Sequence, residues 1–85
     1  MPQHIGIVAC SAEGAALCYR TICTEGPALM GPLAHPEVSM HTASLAEHMD
    51  CIYRDDWQGV AELMLVSAHK LASIGADSQI CPANT

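Results

Sequence analysis

The sequence predicts an α/β domain in which three parallel strands alternate with two helices. Short apolar runs rich in β-branched residues are separated by longer stretches in which apolar residues recur every three to four positions. After the first strand, each further strand candidate follows a helical stretch. Strands joined by helices lie parallel in one sheet, connected by right-handed crossovers.

The first strand and the first helix are predicted near the amino terminus. Residues 5–10 form a continuous apolar run, which suits a strand buried on both faces. Ser11 then stands at the expected helix N-cap, and Glu13 faces the positive end of the helix dipole. We expect this helix to span residues 12–24 and to be ended by Gly26-Pro27.

The second strand and the segment after it are less regular. Residues 38–43 alternate between apolar and polar side chains and are predicted to form a strand. Residues 44–54 show no clear period, so we expect a mobile connection there.

The second helix and the third strand complete the order. Asp55 is predicted to open the helix, with Gln58 as its capping-box partner, and Gly75 stands at the C-cap. The third strand is predicted to begin with Ile80-Cys81-Pro82. Because proline cannot donate to a neighbouring strand, Pro82 indicates that this strand is near its end.

This order predicts a ligand site at one edge of the sheet. In flavodoxin-like sheets the spatial order 2-1-3 places the carboxyl ends of the first and third strands side by side, where ligands bind. Those ends are Cys10-Ser11 and residues 81–85. The first N–H groups of the first helix could bind a small carboxylate there. An ordinary capped helix is the alternative interpretation.

Polar residues at the third strand end offer matching chemistry. Asn84 and Thr85 are donors for a carboxylate or for a developing enolate oxygen. Cys81 could supply an acid or, with a lowered pKa, a thiolate base. A buried structural cysteine is the more common role for such a residue.

Composition excludes several classes of function. The net charge is −6, with three basic residues in all, so nucleic-acid binding is not expected. No apolar stretch approaches the ~20 residues that span a bilayer, and no signal peptide is recognisable, so we expect a cytoplasmic protein. The five cysteines lack a Cys-x-x-Cys pair, so we expect reduced thiols and neither metal nor cofactor.

The chain is also rich in apolar residues for its length. Hydrophobic residues make up 51% and charged residues 14% of 85 residues. A free-standing domain of this size buries only about 60% of its unfolded surface. We therefore expect residues 1–85 to be the partial N-terminal α/β domain of a larger protein, truncated after Thr85. Alone, it is expected to be inactive and to self-associate.

The carboxyl-terminal residues resemble a known family. The block from Gly75-Ala76-Asp77 through Ile80 to residues 82–85 resembles the first signature of the aspartate/glutamate racemases, which reads Gly-Ala-Asp, an apolar run, then Cys-Asn-Thr. The likeness extends, in order, to three earlier segments: residues 4–7, 11–20 and 35–38.

The resemblance implies two flavodoxin-like halves in a racemase that needs neither pyridoxal phosphate nor metal. Two cysteines on opposite sides of the substrate α-carbon exchange its proton in that family. Asn84 and Thr85 match the residues that hold the substrate carboxylate, and Ser11 lies in the turn that lines the same pocket. We expect the whole protein to be a homodimer that acts on aspartate, glutamate or a similar small amino acid.

This sequence departs from the family at two positions. Ala83 stands where the family has its first catalytic cysteine, and Cys81 lies two residues earlier. The family's arginine after the second strand is missing, and Glu47, His48 and Met49 stand there instead. Alternatives to a racemase are therefore a catalytically silent carboxylate-binding homologue, a one-base decarboxylase or isomerase, and a thiol or metal protein.

Overall fold

The computed structural model describes residues 3–82. Three strands form one parallel sheet in the order β2-β1-β3, with helices on both faces. This arrangement confirms the predicted α/β class and strand order. The elements along the chain are β1 His4–Ala9, α1 Ala12–Met30, β2 Glu37–Thr42, α2 Leu45–Tyr53, α3 Trp57–Ser73 and β3 Ser78–Ile80.

Strand β1 is the centre of the core, as its apolar sequence predicts. It pairs along its whole length with β2, and through Ile5, Gly6 and Ile7 with β3. Ile7 is fully buried and packs with Ala9 and Ala15 of α1. The opposite face of β1 lies against α3, where a Cβ built on Gly6 would approach the Leu71 Cβ to 3.2 Å.

Helix α1 runs to Met30, so its predicted end at residue 24 is wrong. Gly26 does not end the helix because it has a different role. A Cβ there would lie 2.7 Å from the His35 Cβ, so glycine allows the segment before β2 to approach the helix closely. Pro27 is accommodated, and its carbonyl accepts a hydrogen bond from Gly31, the C-cap residue with a φ of 107°.

Residues 44–54 are largely helical, and the predicted mobile connection is wrong. Ser44 caps α2 by accepting a hydrogen bond from the backbone N–H of Ala46 at 3.3 Å. The buried residues of α2 are His48 and Cys51. Helix α2 packs against α3, which lies on one face of the sheet, and α1 lies on the other face.

Both ends of α3 differ slightly from the prediction. Its N-cap is Asp56, not Asp55, and the Asp56 carboxylate accepts from the Gly59 backbone N–H at 2.9 Å. At the other end the C-cap is Ile74, and Gly75 follows it with a φ of 96°. The backbone N–H groups of residues 75 and 76 donate to carbonyls of the last turn at 3.1 Å each, in a Schellman motif. Gly75 therefore ends the helix as predicted, although it follows the C-cap residue instead of occupying that position.

Strand β3 is short and lies earlier than predicted. It spans Ser78–Ile80, so Ile80 is its last residue rather than its first. Cys81 follows the strand and is not part of it. The register pairs Ile80 with Ile7, which sets the chain after β3 beside the end of β1.

The amino end of the sheet is held by His4. Its backbone N–H donates to the Asp77 carboxylate at 3.2 Å, and its carbonyl accepts from the Asp77 N–H at 2.9 Å. The His4 ring nitrogen Nε2 lies 2.7 Å from the Ser39 hydroxyl of β2. These contacts join β1 to β2 and to the segment that enters β3.

Much apolar surface faces solvent. Leu29 and Leu33 are 91% and 94% exposed, and several other large hydrophobic side chains are exposed on the helices. Among the helices of residues 3–82, none combines the length and the hydropathy required to span a bilayer.

Candidate functional site

The carboxyl end of the sheet brings together two of the predicted site residues. Because β1 and β3 are parallel neighbours, Cys10-Ser11 after β1 and Cys81 after β3 lie at the same edge. This part of the predicted site geometry is present. Ala83, Asn84 and Thr85 lie outside the described residues, so their role in the site stays a prediction.

Two thiols meet at this edge. Cys10 is half-buried, Cys81 is exposed, and both are free thiols that follow neighbouring strands. Burial, followed by the charge and the hydrogen bond of Cys10, raises the pKa of Cys81. A raised pKa keeps this thiol protonated at neutral pH. The lowered pKa that a thiolate base requires is therefore not provided by the residues around Cys81.

Ser11 stands at the N-cap of α1 in an extended conformation, as predicted, but its side chain does not cap the helix. Its hydroxyl oxygen is buried and has no hydrogen-bond partner among residues 3–82. The first N–H groups of the helix also lack intrahelical acceptors by their position. Ser11 therefore keeps its hydrogen-bonding capacity beside a helix end that favours anions.

His48 lies on α2 and is 4% exposed. Its Nε2 atom is buried and makes no hydrogen bond to any described residue. Leaving a buried polar atom unpaired costs about 1–3 kcal/mol, so such atoms are few in a folded protein. Among the side chains of residues 3–82, only the Ser11 hydroxyl oxygen and this nitrogen are buried without a hydrogen-bond partner.

Both residues line the same cavity, which has a volume of about 360 Å³. Cavities of about 300–1,000 Å³ are typical of small-ligand sites. Cys10 forms part of the wall, which places one of the two thiols beside the unpaired polar groups. The remaining wall comes from α2 and α3 and is apolar, formed by Leu45, Met49, Ile52, Val60 and Met64.

The cavity contains no basic side chain other than His48. Arg54, at the end of α2, is bound to the carboxylate of Asp50 at 3.0 Å and lies 3.9 Å from Asp56. Lys70 lies 3.4 Å from the His41 ring at an exposed position. Among the described residues, the side-chain hydrogen-bonding groups that line this cavity are therefore the Ser11 hydroxyl, the His48 ring and the Cys10 thiol.

Other features of the described residues are poorer candidates. A cavity of about 370 Å³ near the amino end of β1 is lined mainly by apolar side chains of α1, and neither of the two unpaired atoms lies in it. Within residues 3–82, no three His, Cys, Asp or Glu side chains gather as a metal site would require.

Two residues of this cavity were given little or no weight by the sequence analysis. His48 was noted only as one of three residues at the place of the missing arginine. Cys10 was assigned to the strand end without a chemical role. A signal for the helix that carries His48 was Ser44 followed three positions later by Glu47, which is the capping-box pattern. No protein-family model matches the chain, and no curated protein matches it significantly.

Proposed function

We propose that the protein binds the carboxylate of a small amino acid at the carboxyl end of the sheet and transfers a proton at its α-carbon. The reaction is the one that the resemblance to aspartate/glutamate racemases implies. One observation carries the proposal. Ser11 and His48, which hold the two unpaired buried polar atoms of the described residues, line one cavity beside the Cys10–Cys81 thiol pair.

The substrate carboxylate has suitable partners in this cavity. The Ser11 hydroxyl and the first N–H groups of α1 can donate hydrogen bonds to its oxygens. The helix dipole contributes about 0.3–1 kcal/mol more for an anion at this position. By the resemblance, Asn84 and Thr85 would add further donors.

The proton transfer needs one group to remove the α-proton and another to return it. In the step we propose, a thiolate takes the proton, the C–H electron pair moves onto the α-carbon, and the carboxylate donors stabilise the enolate-like charge. Cys10 and Cys81 follow neighbouring strands at the same edge of the sheet, so in this proposal they lie on one side of the substrate and supply one base between them. The resemblance puts the second cysteine, on the opposite side, after residue 85.

A second candidate function is carboxylate binding without racemisation, or one-sided chemistry. The raised pKa of Cys81 favours it, because a protonated thiol cannot remove an α-proton. Carboxylate recognition by Ser11 would be the same in both cases.

Incubation of the whole protein, with the part that the resemblance implies after residue 85, with L-amino acids in heavy water distinguishes the two functions. A working base replaces the α-proton by deuterium, which proton NMR detects. We expect exchange by the wild type and a loss of roughly 100-fold or more in Cys81→Ser and Cys10→Ser. Cys23→Ser, on α1 and away from this edge, is the matched control and should retain full exchange. Binding without deuterium incorporation would support the second candidate and exclude the first.

A further inference from the structure

We infer that the cavity selects a monocarboxylate with an apolar side chain, of the leucine or methionine type, rather than aspartate or glutamate. The inference rests on the proposed function, since it assumes that this cavity holds the substrate. It specifies the substrate class, and it departs from the class that the resemblance implies.

The described side chains of the cavity offer two unpaired hydrogen-bonding groups, which match one carboxylate. The Ser11 hydroxyl and the His48 ring can each donate to one oxygen of a carboxylate. Bringing a carboxylate to these groups would satisfy both atoms that are otherwise unpaired. Among the described side chains of the cavity, the group left for a second carboxylate is the Cys10 thiol, a weak donor.

The charges of the chain also disfavour a dicarboxylate. None of its three basic residues lines the cavity. Arg54 is engaged with Asp50, Lys70 contacts His41 at an exposed position, and Arg20 is exposed on α1, which covers the other face. In a chain of net charge −6, a second buried carboxylate would lose its hydration without gaining an opposite charge.

The rest of the wall suits an aliphatic group. Leu45, Met49 and Ile52 of α2 face Val60 and Met64 of α3 across the cavity. Each methylene group buried against such a wall strengthens binding about fourfold. The two methionines have flexible, polarizable side chains, which adapt to ligands of different shape.

Titration with a ligand series tests the inference directly. L-Leucine, L-methionine, L-aspartate and L-glutamate are added to the isotope-labelled protein, and binding is followed through the NMR signal of the His48 ring. We expect leucine and methionine to bind at least ten times more tightly than aspartate and glutamate. The ring signal should shift with each ligand that binds.

A charge introduced into the wall supplies a second test. Met49→Lys places an ammonium group at an apolar wall position and should narrow or reverse the preference in favour of the dicarboxylates. Leu17→Lys, at an exposed position on the opposite face, adds the same charge and should leave the preference unchanged. Circular dichroism tests whether both variants fold. If Met49→Lys does not fold, the ligand series on the wild-type protein decides between the two substrate classes.

The outcomes separate the two proposals. Aspartate or glutamate binding as tightly as leucine would overturn the inference while leaving carboxylate binding intact. If none of the four amino acids shifts the His48 signal, carboxylate binding in this cavity fails, and the inference fails with it. Tight leucine binding without deuterium exchange would support the inference and contradict only the racemase chemistry.

Discussion

Two histidines, at opposite ends of the sheet, are almost equally buried but differ in their partners. His4 is 8% exposed, and its ring meets the Ser39 hydroxyl at 2.7 Å. His48 is 4% exposed, and its Nε2 has no hydrogen-bond partner among residues 3–82. Burial alone therefore does not distinguish a structural histidine from a candidate binding residue. The presence or absence of a hydrogen-bond partner for the ring distinguishes the two.

The same difference extends to the surroundings of each histidine. At the amino end, Asp77 and the Schellman turn at Gly75 satisfy the backbone groups that connect α3 to the sheet. At the carboxyl end, the Ser11 hydroxyl remains unpaired beside the start of α1. This asymmetry agrees with the general behaviour of parallel sheets, which bind ligands at the carboxyl ends of their strands.

Replacing His48 should produce the largest effect, and it should fall on binding. We expect His48→Leu to weaken carboxylate binding by about 10- to 100-fold, since hydrogen bonds to charged groups contribute about 1.5–3 kcal/mol. Stability should be unchanged or slightly higher, because a buried unpaired nitrogen is removed. Calorimetric titration and urea unfolding measure the two quantities. A large loss of stability would mean that His48 has a structural partner.

The equivalent change at His4 should give the opposite result. We expect His4→Leu to reduce the free energy of unfolding by about 1–3 kcal/mol, because the half-buried Ser39 hydroxyl loses its partner. Carboxylate affinity should remain within twofold of the wild type at a temperature where the variant is folded. The comparison between the two histidines would fail if His4→Leu weakened binding as strongly as His48→Leu.

A smaller effect is expected at Gly75. Its φ of 96° is unfavourable for any residue with a Cβ, although a Cβ there would meet only the His4 ring nitrogen, at 3.6 Å. We expect Gly75→Ala to cost about 1 kcal/mol, which lowers the melting temperature of a domain of this size by about 4–8 °C. A thermal melt followed by circular dichroism gives this value. An unchanged melting temperature would show that the helix end can rearrange.

The smallest effect concerns the pH dependence of Cys81. Its folded-state pKa is raised, so its contribution to stability is present at neutral pH and is lost as the pH rises through that pKa. At pH 8 we expect iodoacetamide to alkylate Cys81 more slowly than a cysteine in a short peptide. Cys10→Ser should accelerate the reaction by removing one cause of the shift. Alkylation faster than the peptide would instead indicate a thiolate ready to act as a base.

The sequence predicted those features of the fold that depend on local pattern. The apolar run in β1 and the glycine at position 75 identified the central strand and a helix end. Gly26 was misinterpreted because it makes room for a contact with His35, nine positions further along the chain, which a local pattern cannot reveal. Helix α2 was missed because its buried residues are a histidine and a cysteine, so hydropathy shows no period there.

The candidate site was predicted only in part, for a related reason. The order of strands and helices is enough to place Cys10-Ser11 near Cys81 at one edge of the sheet. Whether the Nε2 atom of His48 has a hydrogen-bond partner depends on which side chains surround the ring in the folded chain. No pattern within the sequence specifies that a buried nitrogen lacks a partner, because this is a property of the tertiary structure.

Helix α2 has its own cap at Ser44, and α3 begins again with its own cap at Asp56. Three of the apolar side chains around the cavity therefore belong to a nine-residue segment that is bounded at both ends by local hydrogen bonds. Substitutions in this segment can change the shape of the cavity without altering a strand. The shape of the proposed ligand site is consequently open to evolutionary change, and to engineering, largely independently of the sheet that supports it.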